Sequence, residues 1–246
     1  MTSILITGAT SGIGEALAKH AVDSGYHVYA CGRNQQKLDE LASLGDITPV
    51  AFDVTDERAC IDALKEIEAD IYIINAGTCE YVDSRHIEPA MFKRVFDANF
   101  FGAVNVVAAI NNKLTQGKQL VFVDSLARLL PFTRSEAYGA SKAALHYLSK
   151  SLEVDLIQRG VLVQSISPGF VKTPLTDKND FSMPMLVTAE RAAKDMLKGI
   201  ESKKRAIYFP TRFSLMLRAM NLLPERLQRK LCVAMKRPPK KENKHG

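Results

Sequence analysis

The chain has 246 residues, with 33 Lys/Arg against 27 Asp/Glu and a net charge of +6. Its 46% hydrophobic and 24% charged content excludes a largely disordered chain, and a single α/β core can occupy this length. The charge is uneven: residues 201–246 hold thirteen Lys/Arg and three acids, a net of +10, which leaves −4 on residues 1–200.

Met1 to Thr7 carry no basic leader and no cleavable apolar stretch, so no secretory signal is expected. No apolar run approaches the roughly 18–20 residues of a membrane span. Cys31, Cys60, Cys79 and Cys232 are scattered without CxxC pairing. That pattern predicts a reduced, cytoplasmic protein with no metal site, each cysteine serving as a small buried apolar residue.

In chain order, short apolar runs at Ser3–Ile6, His27–Cys31, Thr48–Phe52, Asp70–Ile74, Lys118–Val123 and Val161–Ile166 read as strands. Segments with three- and four-residue apolar spacing separate them, such as Ile13, Ala16, Leu17 and Ala21, or Leu145, Leu148, Leu152 and Leu156. A further short strand is expected at Arg205–Phe209. Strands too apolar for a one-faced sheet, alternating with helices, predict a parallel sheet covered on both faces. The expected fold is α/β, a Rossmann-type doubly wound sheet of about seven strands. Residues 1–210 are expected to form one dinucleotide-binding catalytic domain, followed by a basic amphipathic extension over 211–246.

The first strand runs into Thr7-Gly8-Ala9-Thr10-Ser11-Gly12-Ile13-Gly14, which opens a helix. Gly8 permits the turn off the strand, Gly12 lets backbone approach a pyrophosphate, and Gly14 lets the helix pack close to the sheet. The helix N-terminus offers unpaired N–H groups and a positive dipole end to phosphate.

After the second strand come Gly32 and Arg33. An NAD site typically places an acid here for the ribose 2′-hydroxyl, whereas a guanidinium suits a 2′-phosphate. NADP(H) is therefore the favoured cofactor. Tyr138 and Lys142 are four apart in the predicted helix Ala137–Gln158 and share a face. A free phenol titrates near 10, and a neighbouring ammonium or an oxidised nicotinamide ring stabilises its anion.

Thr7–Gly14, Asn75-Ala76-Gly77, Tyr138-x-x-x-Lys142 and Pro168-Gly169, in this order and spacing, resemble the short-chain dehydrogenase/reductase family over roughly residues 3–175. The resemblance implies an oxidoreductase that moves hydride between nicotinamide and a carbonyl or secondary alcohol. By the same resemblance Tyr138 gives or takes the proton, Lys142 supports it, Ser125 holds the substrate oxygen, and Asn99 orders a water chain to the lysine. Asp53 and Val54 resemble the adenine contacts, Asn75, Ala76 and Gly77 the ribose bracket, and Pro168, Gly169, Val171 and Thr173 the segment passing the nicotinamide. Asp124, beside Ser125, departs from the small or apolar residues often found there. The resemblance further implies a homodimer or homotetramer acting on a small-molecule carbonyl or alcohol.

Leu175–Leu186 is irregular and reads either as a lid over substrate or as a plain surface connection. Beyond Pro210 the resemblance ends. Two short basic amphipathic helices broken at Pro224 are expected. Their apolar faces can pack on the body or on a sister subunit. Alternatively they can lie on anionic lipid, which would suit a lipophilic substrate. Nucleic acid is not an expected partner, because no binding module frames the basic run. A non-catalytic NADP-binding sensor or scaffold, docked by this tail, is the alternative to an enzyme.

Overall fold

The computed structural model describes residues 1–235 apart from 178, 180 and 182. Seven strands form one fully parallel sheet: β1 Ser3–Thr7, β2 His27–Gly32, β3 Ile47–Ala51, β4 Ile71–Ile74, β5 Gln119–Val123, β6 Leu162–Pro168 and β7 Ala206–Phe209. Their order is β3-β2-β1-β4-β5-β6-β7, the Rossmann-type doubly wound arrangement expected. Chain direction reverses its progress across the sheet between β1 and β4, so the loops after these strands open a crevice at their carboxyl ends.

The apolar runs are continuous because both sheet faces are covered. Ile4, Ile6, Ile71, Ile73, Val121 and Val123 belong to one buried cluster. The intervening Leu5, Tyr72, Ile74, Leu120 and Phe122 belong to the other. Strand side chains alternate faces, so every position is spent on a core. Helices α1 (Gly12–Asp23), α2 (Gln35–Ala42) and the later α7 (Ala189–Glu201) contribute to the first layer. Helices α3 (Glu57–Leu64), α5 (Gly102–Ile110) and α6 (Glu136–Leu156) contribute to the second. Helix α4 (Pro89–Phe96) has proline at its start, where the missing N–H costs nothing, and leads through a π-helical turn at Asp97–Phe101 into α5.

The strand boundaries shift slightly from the sequence reading. Asp70 precedes β4 because its carboxylate accepts from Ser3 N at 2.9 Å and Lys118 Nζ at 3.0 Å, a tie across strand starts. Tyr72 is fully buried, and its hydroxyl accepts from Ala69 N at 3.0 Å, which satisfies its polar end. Strand β6 runs on to Pro168 because β7 pairs with it from Ser165 to Phe209.

The two tail helices expected around Pro224 are α8 (Thr211–Asn221) and α9 (Glu225–Met235). Phe213 and Leu217 of α8 and Cys232 of α9 are buried with Leu126 and Leu130. This part of the tail therefore packs on the body. The basic stretch Lys236–Gly246 lies outside the described residues. Among the described residues no helix is long and apolar enough to cross a membrane. All four cysteines are free; Cys31, Cys60 and Cys232 are buried, whereas Cys79 is half-buried.

Candidate functional site

The site begins with the turn between β1 and α1. Gly8 has φ +69° and Gly12 φ +56°, left-handed values that cost a side chain about 1–2 kcal/mol. At Gly8 there is also no room, since a Cβ would stand 2.8 Å from Ala76 Cα. Thr10 and Ala9 pin the turn to β2: Ala9 N donates to Cys31 O at 2.9 Å, and Thr10 packs against Gly32. Ser11 starts α1 without a side-chain capping bond. The first-turn amides of Gly12, Ile13 and Gly14 are therefore free to meet an anion.

Asn75 ties β4 to this turn. Its Nδ2 donates to Thr7 O at 2.9 Å, while Thr7 Oγ1 accepts from the amides of Asn75 at 2.9 Å and Ala76 at 3.0 Å. Thr173 reaches the turn from the other side, with its methyl 3.1 Å from where a Gly12 Cβ would be. Val171 is buried and bridges to Val187, and Thr176 Oγ1 donates to its carbonyl at 2.7 Å. Pro168 ends β6, and Gly169 N donates to Phe209 O at 2.7 Å.

Arg33 and Asp53 lie at the far end of the crevice, where Arg33 Nη1 stands 3.3 Å from Asp53 Oδ2. The guanidinium is 77% exposed, so this pair is weak and the arginine remains available. Burial opposes the charged form of Asp53. Hydrogen bonds from Thr55 and the charge of Arg33 outweigh it and hold the carboxyl below its usual value. Val54 packs on Gly102 of α5, and its carbonyl accepts from Asn105 Nδ2 at 2.9 Å.

At the centre, β5 and α6 bring Ser125, Tyr138 and Lys142 together. Ser125 lies within hydrogen-bonding reach of the Tyr138 phenol, and its Oγ accepts from Ala127 N at 3.1 Å. Lys142 is buried; Nζ sits 5.9 Å from the Tyr138 ring centre and donates to Val123 O at 2.9 Å. Burial lowers the Lys142 ammonium to about 8, against the opposing pull of Asp124 and Cys79. Burial, with Cys79 and Asp124 adding to it, pushes the Tyr138 phenol upward despite the Ser125 hydrogen bond. The sequence reading has the lysine lowering the phenol. Here desolvation dominates, and the phenol is pushed up from its ordinary value instead of down.

Asn99 is fully buried in the π-helical turn. Its Oδ1 accepts from Thr78 N at 2.6 Å, and Nδ2 donates to Thr78 O and Ser141 Oγ, both at 2.9 Å. A Cβ on Gly77 would lie 2.8 Å from Asn99 Oδ1 and 3.3 Å from Lys142 Nζ, so Gly77 separates the two groups by one small residue.

Three residues of this centre carry no sequence motif. Cys79 faces Tyr81, Tyr138 and Lys142, and burial pushes its thiol up to about 11. Ser141 joins Asn99 to the α6 backbone by donating to Tyr138 O at 2.8 Å. Tyr81 opens an aromatic row, with Phe181 at 5.5 Å, then Phe170 at 6.1 Å from Phe181 and Phe213 at 5.7 Å from Phe170. Only the i, i+3 step from Tyr138 to Ser141 was open to sequence reading; the other contacts join distant segments. Of the irregular stretch Leu175–Leu186, residues 178, 180 and 182 lie outside the described residues.

The arrangement brings a glycine turn with free helix-start amides, a desolvated phenol, a buried amine and a hydroxyl into one crevice. A model of the short chain dehydrogenase family matches residues 2–183. An uncharacterized oxidoreductase of Myxococcus xanthus (strain DK1622) is 34% identical over 235 residues, covering 91% of this chain and 93% of the relative. The NADPH-dependent 1-acyldihydroxyacetone phosphate reductase of Schizosaccharomyces pombe (strain 972 / ATCC 24843) is 33% identical over 187 residues, covering 71% of this chain and 62% of the relative. The fold is shared with a closed form of serine dehydrogenase complexed with NADP+, at TM-score 0.76 and 24% identity, over 85% of this chain and 94% of that one. The chain belongs to the short-chain dehydrogenase family of oxidoreductases.

Proposed function

We propose that the protein is an NADP(H)-dependent oxidoreductase that interconverts a carbonyl and a secondary alcohol on a lipophilic small molecule. The observation that carries this reading is the convergence of Ser125, Tyr138 and Lys142 beside the Gly8–Gly14 turn. The residues fit the cofactor. The turn has two left-handed glycines and free helix-start amides for a pyrophosphate, and Arg33 is exposed next to Gly32, which takes the strand-end position where an acid would repel a 2′-phosphate. Thr10, Ser11 and Ile13 line the phosphate end. Asp53 and Val54 serve the adenine end, Asn75, Ala76 and Gly77 the ribose, and Pro168, Gly169, Val171 and Thr173 the nicotinamide end.

When bound, the cofactor supplies or accepts the hydride. Ser125 orients the substrate oxygen, and Tyr138, whose phenol burial pushes further up, gives its proton to that oxygen in the reductive direction. Lys142 lies beside the ring and offsets negative charge as it grows on the phenol oxygen. Asn99 holds the Thr78 backbone next to Lys142 and so keeps the path to the amine in register.

The lipophilic character of the substrate is supported by the aromatic row Tyr81, Phe181, Phe170 and Phe213. Exposed Phe101 just before α5, Val104 within it, and Tyr147 and Val154 on α6 support a homodimer or homotetramer. The reading is tested by following NADPH consumption by the purified protein with aldehydes and ketones of increasing chain length. Turnover that rises with chain length is expected; none with any carbonyl, in either direction, overturns the enzymatic reading.

A further inference from the structure

We propose that α8 and α9 form a docking surface for an anionic lipid bilayer. Each helix commits only part of its surface to the protein body. Phe213, Ser214 and Leu217 of α8 are buried, and Cys232 alone is buried in α9. A cleft of about 610 Å³ beside the buried Cys232 is lined by Arg229 and Val233 of α9, by Leu129 and Phe132 after β5 and by Ala140 of α6. Helix α9 thus rests on the body without sinking into it.

The outer surface is apolar to a degree that its position does not explain. Leu215 is 56% exposed and Leu222, at the bend between the helices, 86% exposed. Leu227, Leu231 and Met235 recur at four-residue spacing along α9, all exposed, so they form one stripe. Arg226, Arg229, Lys230 and Val233 form the adjoining stripe, also exposed. An apolar stripe flanked by basic side chains suits a helix lying in the plane of a bilayer interface. Leucines enter the acyl boundary while the long basic side chains reach the headgroup phosphates.

Charge identifies the occupant. On the body, surface cations are typically answered by acids: Arg58 by Asp62, Arg85 by Asp83, Arg94 by Glu80 and Arg191 by Asp195. On α8 and α9, Arg212, Arg226, Arg229 and Lys230 have no acidic partner among the described residues, and Arg218 only stacks on Tyr208, 4.5 Å from its ring centre. Residues 236–246 continue the excess in sequence, with Lys236, Arg237, Lys240, Lys241 and Lys244 against Glu242. Unanswered cations beside exposed leucines complement a surface that is anionic and apolar beneath, which is a membrane rather than a nucleic acid.

The test uses the full-length chain and vesicles of phosphatidylcholine, with and without phosphatidylglycerol, separated by sedimentation. The protein is expected on the phosphatidylglycerol vesicles, to be released by raised salt, and to leave pure phosphatidylcholine alone. The triple substitution Arg226→Gln, Arg229→Gln, Lys230→Gln should weaken this binding about tenfold or more, with an unchanged far-ultraviolet circular dichroism spectrum. If that variant fails to fold, Leu222→Ser at the exposed bend carries the test and should also weaken binding. No binding, equal binding to both vesicle types, full binding by the folded variants, or displacement from vesicles by duplex DNA at equal phosphate would overturn the proposal. Failure here leaves turnover of soluble carbonyls untouched, so the two readings fail separately.

Discussion

His146 Nδ1 lies 2.7 Å from Oδ2 of Asp124, the buried carboxylate that immediately precedes Ser125. The same oxygen accepts from Arg128 Nε at 3.2 Å, and Oδ1 accepts from the Ser167 hydroxyl. One carboxylate thus joins β5, β6, α6 and the loop after β5. The departure from small residues at this position is a structural clamp whose charge also reaches Tyr138 and Lys142.

Replacing Asp124 with Asn should therefore cost stability as well as rate. The Arg128 side chain is only 10% exposed and would lose its counter-charge, a change of about 3 kcal/mol by the scale of broken buried pairs. Urea unfolding of Asp124→Asn against wild type checks this; a shift near zero would mean the clamp is redundant.

Tyr138→Phe keeps the ring and removes only the acidic hydroxyl. Carbonyl reduction should fall by roughly 10²–10⁴-fold while NADPH affinity, read by fluorescence, stays within a factor of about three. Turnover close to wild type would move the proton donor elsewhere, with Cys79 the neighbouring group to examine.

The pH profile follows from Lys142, lowered to about 8 by burial. Below that pH the ammonium is present to offset charge on the phenol oxygen; above it the amine is neutral. The rate of carbonyl reduction should accordingly hold at neutral pH and fall as pH rises through about 8. A flat profile to pH 9.5 or so would remove the lysine charge from the rate.

On the proposed NADP(H) reading, Arg33→Asp should weaken NADPH by about a hundredfold and NADH by less than about threefold, since it puts an anion where that reading places the cation for the 2′-phosphate. Paired titrations of the two cofactors measure the ratio. Equal losses would assign Arg33 to its exposed pair with Asp53 alone.

Much of this protein is legible in the chain because its cause is local. The glycines of the Gly8–Gly14 turn, the apolar strands and the four-residue step from Tyr138 to Lys142 depend on backbone dihedrals, alternation and helix pitch. Arg33 beside Gly32 is legible for the same reason, as residues adjoining one strand end. Even the uneven charge was visible from counting Lys203 to Lys244.

Tertiary structure decided what depends on several distant segments meeting. Asp124 reads in the chain as a stray acid, and only the approach of Arg128, His146 and Ser167 makes it a clamp. The directions in which Tyr138 and Lys142 are shifted follow from desolvation, which has no sequence pattern because it is set by everything packed around them. Cys79 shares its surroundings with the phenol for the same reason. The tail's basic charge was written in sequence; which of its leucines are buried on Leu126 and Leu130, and which stand in solvent, was settled by how α8 and α9 rest on the body.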